Sequence, residues 1–148
     1  MLDDVARLLD FLEKGKFHYC LIGGMAMLAY GGRASTLDLD FYILSDDLER
    51  LSKDLTAKGH RVSAAGQDQA KLRFGQVPVD ILRADPWVGI PALRKAKKKK
   101  FLGKVFSIAR PEDLIIMKTI SDRSVDRRDV EELRELFAGK LDTKYIQA

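Results

Sequence analysis

The chain has 148 residues, 46% of them hydrophobic, and a formal net charge of +4. That length suits one domain and that apolar share suits a real core, so disorder is excluded. No apolar run approaches the roughly 18 residues that a bilayer span needs, and Asp3 and Asp4 stand where a signal peptide carries basic residues. A cytoplasmic protein with no membrane partner is expected.

Charge is unevenly distributed. Residues 1–55 hold 6 Lys/Arg against 10 Asp/Glu, residues 56–110 hold 13 against 3, and residues 111–148 hold 7 against 9. The middle block suits a polyanion such as a nucleoside triphosphate, RNA or DNA. Within it, the basic stretch 94–104 with Lys97 to Lys100 fits a nucleic-acid contact or a solvated surface equally well.

Leu2, Val5, Leu9 and Leu12 keep a helical period, and Gly15 follows as a stop. Phe17 to Ile22 reads as a buried strand containing the single Cys20, a structural thiol by this reading. Gly23-Gly24 breaks the strand, and Met25 to Tyr30 reads as a short helix closed by Gly31-Gly32. Leu37 to Ile43 alternates: Leu37, Leu39, Phe41 and Ile43 on one face, Asp38, Asp40 and Tyr42 on the other. A helix follows, with Asp46 as expected N-cap, Glu49 three residues on and a stripe of Leu48, Leu51 and Leu55. His60 to Ala64 is a further candidate strand. Ala70, Leu72 and Phe74, then Val77, Val79 and Ile81, alternate about Gly75-Gln76, a two-residue link that predicts a type II′ hairpin. Asp80 then faces away from Val79 and Ile81. A loop anchored by Trp87, a strand over Val105 to Ala109, a helix from Pro111 to about Ile120 and an amphipathic helix through Val130, Leu133, Leu136 and Phe137 complete the chain. His18 and His60 lack partners at metal-ligand spacing and read as structural. The whole is expected to be one α/β (α+β) domain over 1–148, a mixed sheet flanked by helices, with a helical C-terminal part from about 111.

Aspartate is uncommon in strands. Asp38 and Asp40, at i and i+2, put two carboxylates side by side, where they repel unless a cation or proton lies between them. Mg²⁺ (or Mn²⁺), held by carboxylate and phosphate oxygens, resolves this. Asp80 on a neighbouring strand would complete a cluster suited to phosphoryl or nucleotidyl transfer, in which one acid takes a hydroxyl proton. Gly23 and Gly24 between strand and helix let backbone N–H groups approach a phosphate. Arg33, Ser35 and Thr36 offer further donors. Each signal is weak alone; their order along the chain is specific.

That order, Gly23-Gly24, then Asp38-Leu39-Asp40, then Val77 to Leu82 with Asp80, resembles the nucleotidyltransferase superfamily of DNA polymerase β type. Pro111 to Leu133 is similar to the helical segment of small prokaryotic members, including AbiEii-type toxins, in which a helix lysine and a later aspartate flank the site; Lys118 and Asp126 match them. The resemblance spans roughly residues 17–137. It implies a minimal nucleotidyltransferase fold and Mg²⁺-dependent transfer of an NMP from an NTP to a hydroxyl of a protein, RNA or small molecule. It also implies a site in which Asp38, Asp40 and Asp80 bind metal and act in catalysis. Gly23, Gly24, Arg33, Thr36, Lys118 and Asp126 would then hold nucleotide. Gly24 stands where the Gly-Ser form of the motif has its serine, so that hydroxyl contact is lost. A bland reading accompanies this one: Lys118 as a snorkelling lysine, and Asp122 to Asp129 as a helix-end ion-pair network.

The alternatives are a catalytically weak nucleotide- or nucleic-acid-binding module of a toxin–antitoxin-like system, and a dehalogenase-type phosphatase. The phosphatase pattern wants Thr or Val where Tyr42 stands, with no Gly-Gly ahead of the aspartates.

Overall fold

The structure, a computed structural model, describes residues 1–33, 38–64 and 66–147. Helix α1 (Leu2–Lys14) leads into β1 (Tyr19–Ile22), α2 (Gly23–Ala29), β2 (Leu39–Ile43) and α3 (Ser45–Ala57). The short β3 (Ser63–Ala64), β4 (Gln69–Phe74) and β5 (Val77–Arg83) follow, then α4 (Gly89–Lys95), β6 (Lys97–Phe101) and β7 (Lys104–Ile108). Three helices, α5 (Pro111–Ser121), α6 (Ser124–Leu136) and α7 (Thr143–Gln147), end the described chain.

The strands form one mixed sheet of order β3-β4-β5-β2-β1-β7-β6. Strand β2 is central: it pairs antiparallel with β1 and parallel with β5. Period-two patterning fixes its faces. Leu39, Phe41 and Ile43 are fully buried, as are Val77 and Ile81 on β5, while Asp40 and Tyr42 lie on the other face. The α1 stripe of Val5, Leu8, Leu9 and Leu12 and the α3 residues Leu51 and Leu55 are fully excluded from solvent. Cys20 is buried and free, and burial pushes its thiol up to about 12, as expected of a structural cysteine.

Several local expectations are corrected. The first turn of α3 opens at Ser45 with Leu44 at the N-cap and no side-chain cap; Asp46 does not cap it. The neighbouring Asp47 instead reaches out of the helix and accepts the His18 backbone N–H at 2.8 Å, tying α3 to the start of β1. Trp87 is not a packed anchor: its side chain is 85% exposed. The loop is held through its backbone, because the Asp85 carboxylate accepts N–H groups from Trp87, Val88 and Gly89. Lys97 to Lys100, to which the sequence assigned no element, form the edge strand β6, paired with β7. His60 stacks on Phe74 at 4.7 Å, a structural role as expected. Among the described residues no helix is long and apolar enough to cross a membrane.

Candidate active site

Backbone register builds the centre. Ile22, at the end of β1, pairs with Asp40; Asp40 in turn pairs with Asp80 across the parallel strands β2 and β5. The two carboxylates therefore stand side by side on one sheet face. Directly after Ile22 the chain turns at Gly23 with φ +68. A Cβ there would lie 2.5 Å from Asp40 Oδ2. Glycine is thus required twice over, for the left-handed backbone and for the space that the carboxylate occupies.

The charge concentration shifts the protonation of the central carboxylate. Burial, then the carboxylates of Asp80 and Asp38 and a hydrogen bond with Asp80, push the Asp40 carboxyl up to about 7, against a smaller opposing pull from Lys118. Across the hairpin, Lys71 pairs with Asp80 in register and its Nζ lies 3.4 Å from Asp80 Oδ1.

These groups floor a cleft of about 750 Å³. Gly23, Gly24, Asp38, Asp40 and Asp80 line its sheet side, and Lys118, Arg123, Asp126, Arg128 and Asp129 line its helical side. Helix α5 delivers Lys118, whose Nζ donates to Asp129 Oδ2 at 2.7 Å and lies 3.9 Å from Asp126 Oδ1. Asp126 is 2% exposed and accepts from the Arg123 backbone N–H at 3.1 Å and from Arg123 Nε at 2.8 Å. The Arg123 hydrogen bond holds its carboxyl down at about 2. The ion-pair network suggested for Asp122 to Asp129 is present: Arg127 binds Asp122 and Arg123 binds Asp126.

Of the residues singled out from sequence, Gly23, Gly24, Asp38, Asp40, Asp80, Lys118 and Asp126 meet at this cleft. Arg33 does not line it; its backbone N–H donates instead to Glu132. Thr36 lies outside the described residues. Lys71 and Glu132 were not assigned from sequence, and Asp129 was expected in the ion-pair network but without Lys118 as its partner. Lys71 was readable in principle, since a two-residue turn at 75–76 places it opposite Asp80. The contacts of Asp129 with Lys118 and of Glu132 with Arg33 depend on packing between distant segments and leave no local signal.

Among the described residues, no three His, Cys, Asp or Glu are gathered into a formed metal site. The donor chemistry nevertheless fits a hard divalent cation: Asp38, Asp40 and Asp80 offer carboxylate oxygens at the cleft, crowded enough that Asp40 resists ionisation. A second cleft of about 740 Å³ around Arg83 offers no such cluster, because Glu49 and Asp68 there are already paired with Arg83.

A mixed sheet with helices on its faces and a carboxylate-floored cleft is the fold of nucleotidyltransferases. The chain belongs to the family described as nucleotidyl transferase of unknown function (DUF2204), which it matches over residues 1–147. Solved structures agree on the fold. One is the lincosamide antibiotic adenylyltransferase LnuA with lincomycin bound: 15% identity, TM-score 0.71, 92% of this chain and 98% of that one. Another is the antibiotic-resistance factor ANT(2'')-Ia: 15% identity, TM-score 0.72, 98% and 86%. A third is a putative nucleotidyltransferase from Thermotoga maritima: 11% identity, TM-score 0.66, 90% and 92%. No curated protein sequence matches. The superfamily expected from the sequence is therefore established; these matches carry no link to AbiEii-type toxins.

Proposed function

We propose that the chain transfers an NMP from an NTP to a hydroxyl group, releasing pyrophosphate, in the cleft over Asp40 and Asp80. The observation that carries this reading is the register pairing of those two carboxylates against Gly23, opposite a wall bearing Lys118, Arg123 and Arg128. Mg²⁺ or Mn²⁺ held by Asp38, Asp40 and Asp80 would supply charge neutralisation at the phosphate oxygens. The backbone at Gly23 and Gly24 receives the triphosphate closely, because no side chain stands in the way. Lys118, Arg123 and Arg128 present cations to it from the helical side. Asp80 is the general base: it takes the proton of the acceptor hydroxyl as that oxygen attacks the α-phosphorus. The antibiotic ligands of two structural neighbours, lincomycin and adenylyl-tobramycin, make a small molecule the first acceptor to test, ahead of RNA and protein.

The test is incubation with each NTP labelled at the α-phosphate, Mg²⁺ or Mn²⁺, and fractions of a cell extract. Label is expected in one fraction with wild type and not with Asp38→Asn/Asp40→Asn. Absence of transfer with every nucleotide and fraction, in a protein that binds no NTP, overturns the reading.

A further inference from the structure

Resting on the nucleotidyltransferase reading of the cleft, we propose that Glu132 is a positioning residue. Its carboxylate clasps the end of α2 and so sets the spacing between the glycine wall of the cleft and the helical wall on α6.

The geometry is specific. Glu132 Oε1 accepts the Arg33 backbone N–H at 2.5 Å, joining segments 99 residues apart. The neighbouring Gly32 makes room for it: a Cβ at that position would lie 2.6 Å from Glu132 Oε1 and 3.1 Å from the Met27 carbonyl oxygen. The Gly32 N–H donates to Met27 O at 2.8 Å, so the clasped Arg33 N–H follows directly on the closing turn of α2. The other end of that helix is Gly23, packed against the Asp40 carboxylate. One turn before Glu132, α6 carries Asp129, which holds Lys118, and beside it Arg128 on the cleft. Glu132 thus links the helix that starts at Gly23 to the helix that carries Arg128 and Asp129. It also fixes the backbone of Arg33, five positions ahead of Asp38.

A carboxylate on a backbone N–H is a charge-assisted bond, stronger and more directional than a neutral one. An apolar contact in the same seam is independent of it: Tyr30 meets Phe137 edge-to-face at 5.2 Å, and the Tyr30 hydroxyl donates to Ala109 O. Removing the clasp therefore leaves α2 and α6 docked but free to shift, and the fold survives.

The experiment compares the full chain with Glu132→Ala and Glu132→Gln. Amide hydrogen exchange is read at Arg33 and at core residues such as Leu21, and Mg²⁺–NTP binding is read by calorimetry. In Glu132→Ala, exchange at Arg33 is expected to quicken and NTP affinity to fall, each by about tenfold, the scale of one lost hydrogen bond to a charged group, with Leu21 unchanged. Glu132→Gln, which keeps an acceptor oxygen, is expected to restore most of both. Unchanged exchange at Arg33 in Glu132→Ala overturns the clasp, as does equal loss of affinity in the Ala and Gln variants. Wild type that binds no NTP refutes the nucleotidyltransferase reading instead, while the exchange measurement still decides the clasp.

Discussion

Asp40 on β2 and Asp80 on β5 face each other in parallel register, and their local charges are balanced unequally. Asp80 has Lys71 at 3.4 Å. Among the described residues Asp40 forms no salt bridge, because Lys118, the cation on the opposite wall, is hydrogen-bonded to Asp129. The sheet floor therefore carries repulsion that either a proton on Asp40 or a bound cation relieves.

That imbalance predicts opposite effects of one substitution. Asp40→Asn removes the repulsion and is expected to raise the melting temperature of the metal-free protein. Mg²⁺ or Mn²⁺ with an NTP is expected to stabilise wild type by linkage, about 2.7 kcal/mol at a hundredfold excess over Kd, and to stabilise Asp38→Asn/Asp40→Asn not at all. Thermal melts with and without metal and nucleotide check both parts. A double variant stabilised as much as wild type would remove Asp38 and Asp40 from the metal site.

The Arg123–Asp126 contact predicts an acid limit. Asp126 titrates at about 2 in the folded chain, below the ordinary aspartate value near 3.9. A depressed carboxyl stabilises the fold above its unfolded pKa, and that stabilisation is lost as pH falls from about 4 to 2. Arg123 is 71% exposed at its side chain, so solvent screening reduces the contribution to about 1–2 kcal/mol. Asp126→Asn is expected to be less stable than wild type at pH 7 by that amount and to converge with it only as pH falls to about 2. Denaturant melts at both values check this; a constant gap across the range would mean that Asp126 acts through packing alone.

These relationships were legible in the sequence to different depths. Alternation in Leu39 to Ile43 and Val77 to Ile81 encoded both strands and their faces, since burial on one side of a pleated strand leaves a period of two. The hairpin at Gly75-Gln76 then fixed the register of Lys71 with Asp80. Lys97 to Lys100 have neither strand propensity nor an apolar period, and they form a strand because β7 offers a free edge. Asp47 leaves no sign of its partnership with His18 for a related reason: the Asp46–Glu49 spacing reads as a capping box, while the carboxylate that does the tying serves a segment 29 residues away. Trp87 shows the limit of composition. A lone tryptophan beside a proline reads as an anchor, whereas Asp85 anchors this loop through main-chain N–H groups.

The placement of β6 leads to a third prediction. Lysines on an exposed edge oppose pairing with another chain, and two cations of the β6–β7 hairpin already serve α1, Lys98 on Glu13 and Lys104 on Asp10. Strands β7 and β1 separate β6 from β2, so the lysines lie away from the carboxylates. Changing Lys97, Lys99 and Lys100 to Thr is expected to cause concentration-dependent self-association by light scattering and to leave NTP affinity unchanged. RNA binding that weakens in this variant, with a salt slope flattened by roughly one unit per lost phosphate contact, would assign the edge to a nucleic-acid partner instead.

The fourth prediction separates the two acids of the register pair by role. Asp80 lies on the hairpin side of the cleft, 35% exposed at its side chain and flanked by Lys71, where an acceptor hydroxyl has access. Asp40 is the more enclosed, backed by Gly23. On the proposed reading, a base acts on the acceptor only in the transition state, whereas the nucleotide would be held by the glycine turn and by the cations of α5 and α6. Asp80→Asn is therefore expected to cut turnover by roughly 10²–10⁴-fold, the usual worth of a positioned base, with NTP affinity at saturating Mg²⁺ changed much less. Lys71→Ala removes the cation beside Asp80 and keeps the proposed base, so its transfer rate is expected to fall far less than that of Asp80→Asn. Calorimetry for the nucleotide and the labelled transfer assay for turnover give the two quantities separately. Full transfer by Asp80→Asn would mean that β5 carries no base, and would leave only the β2 aspartates in the chemistry.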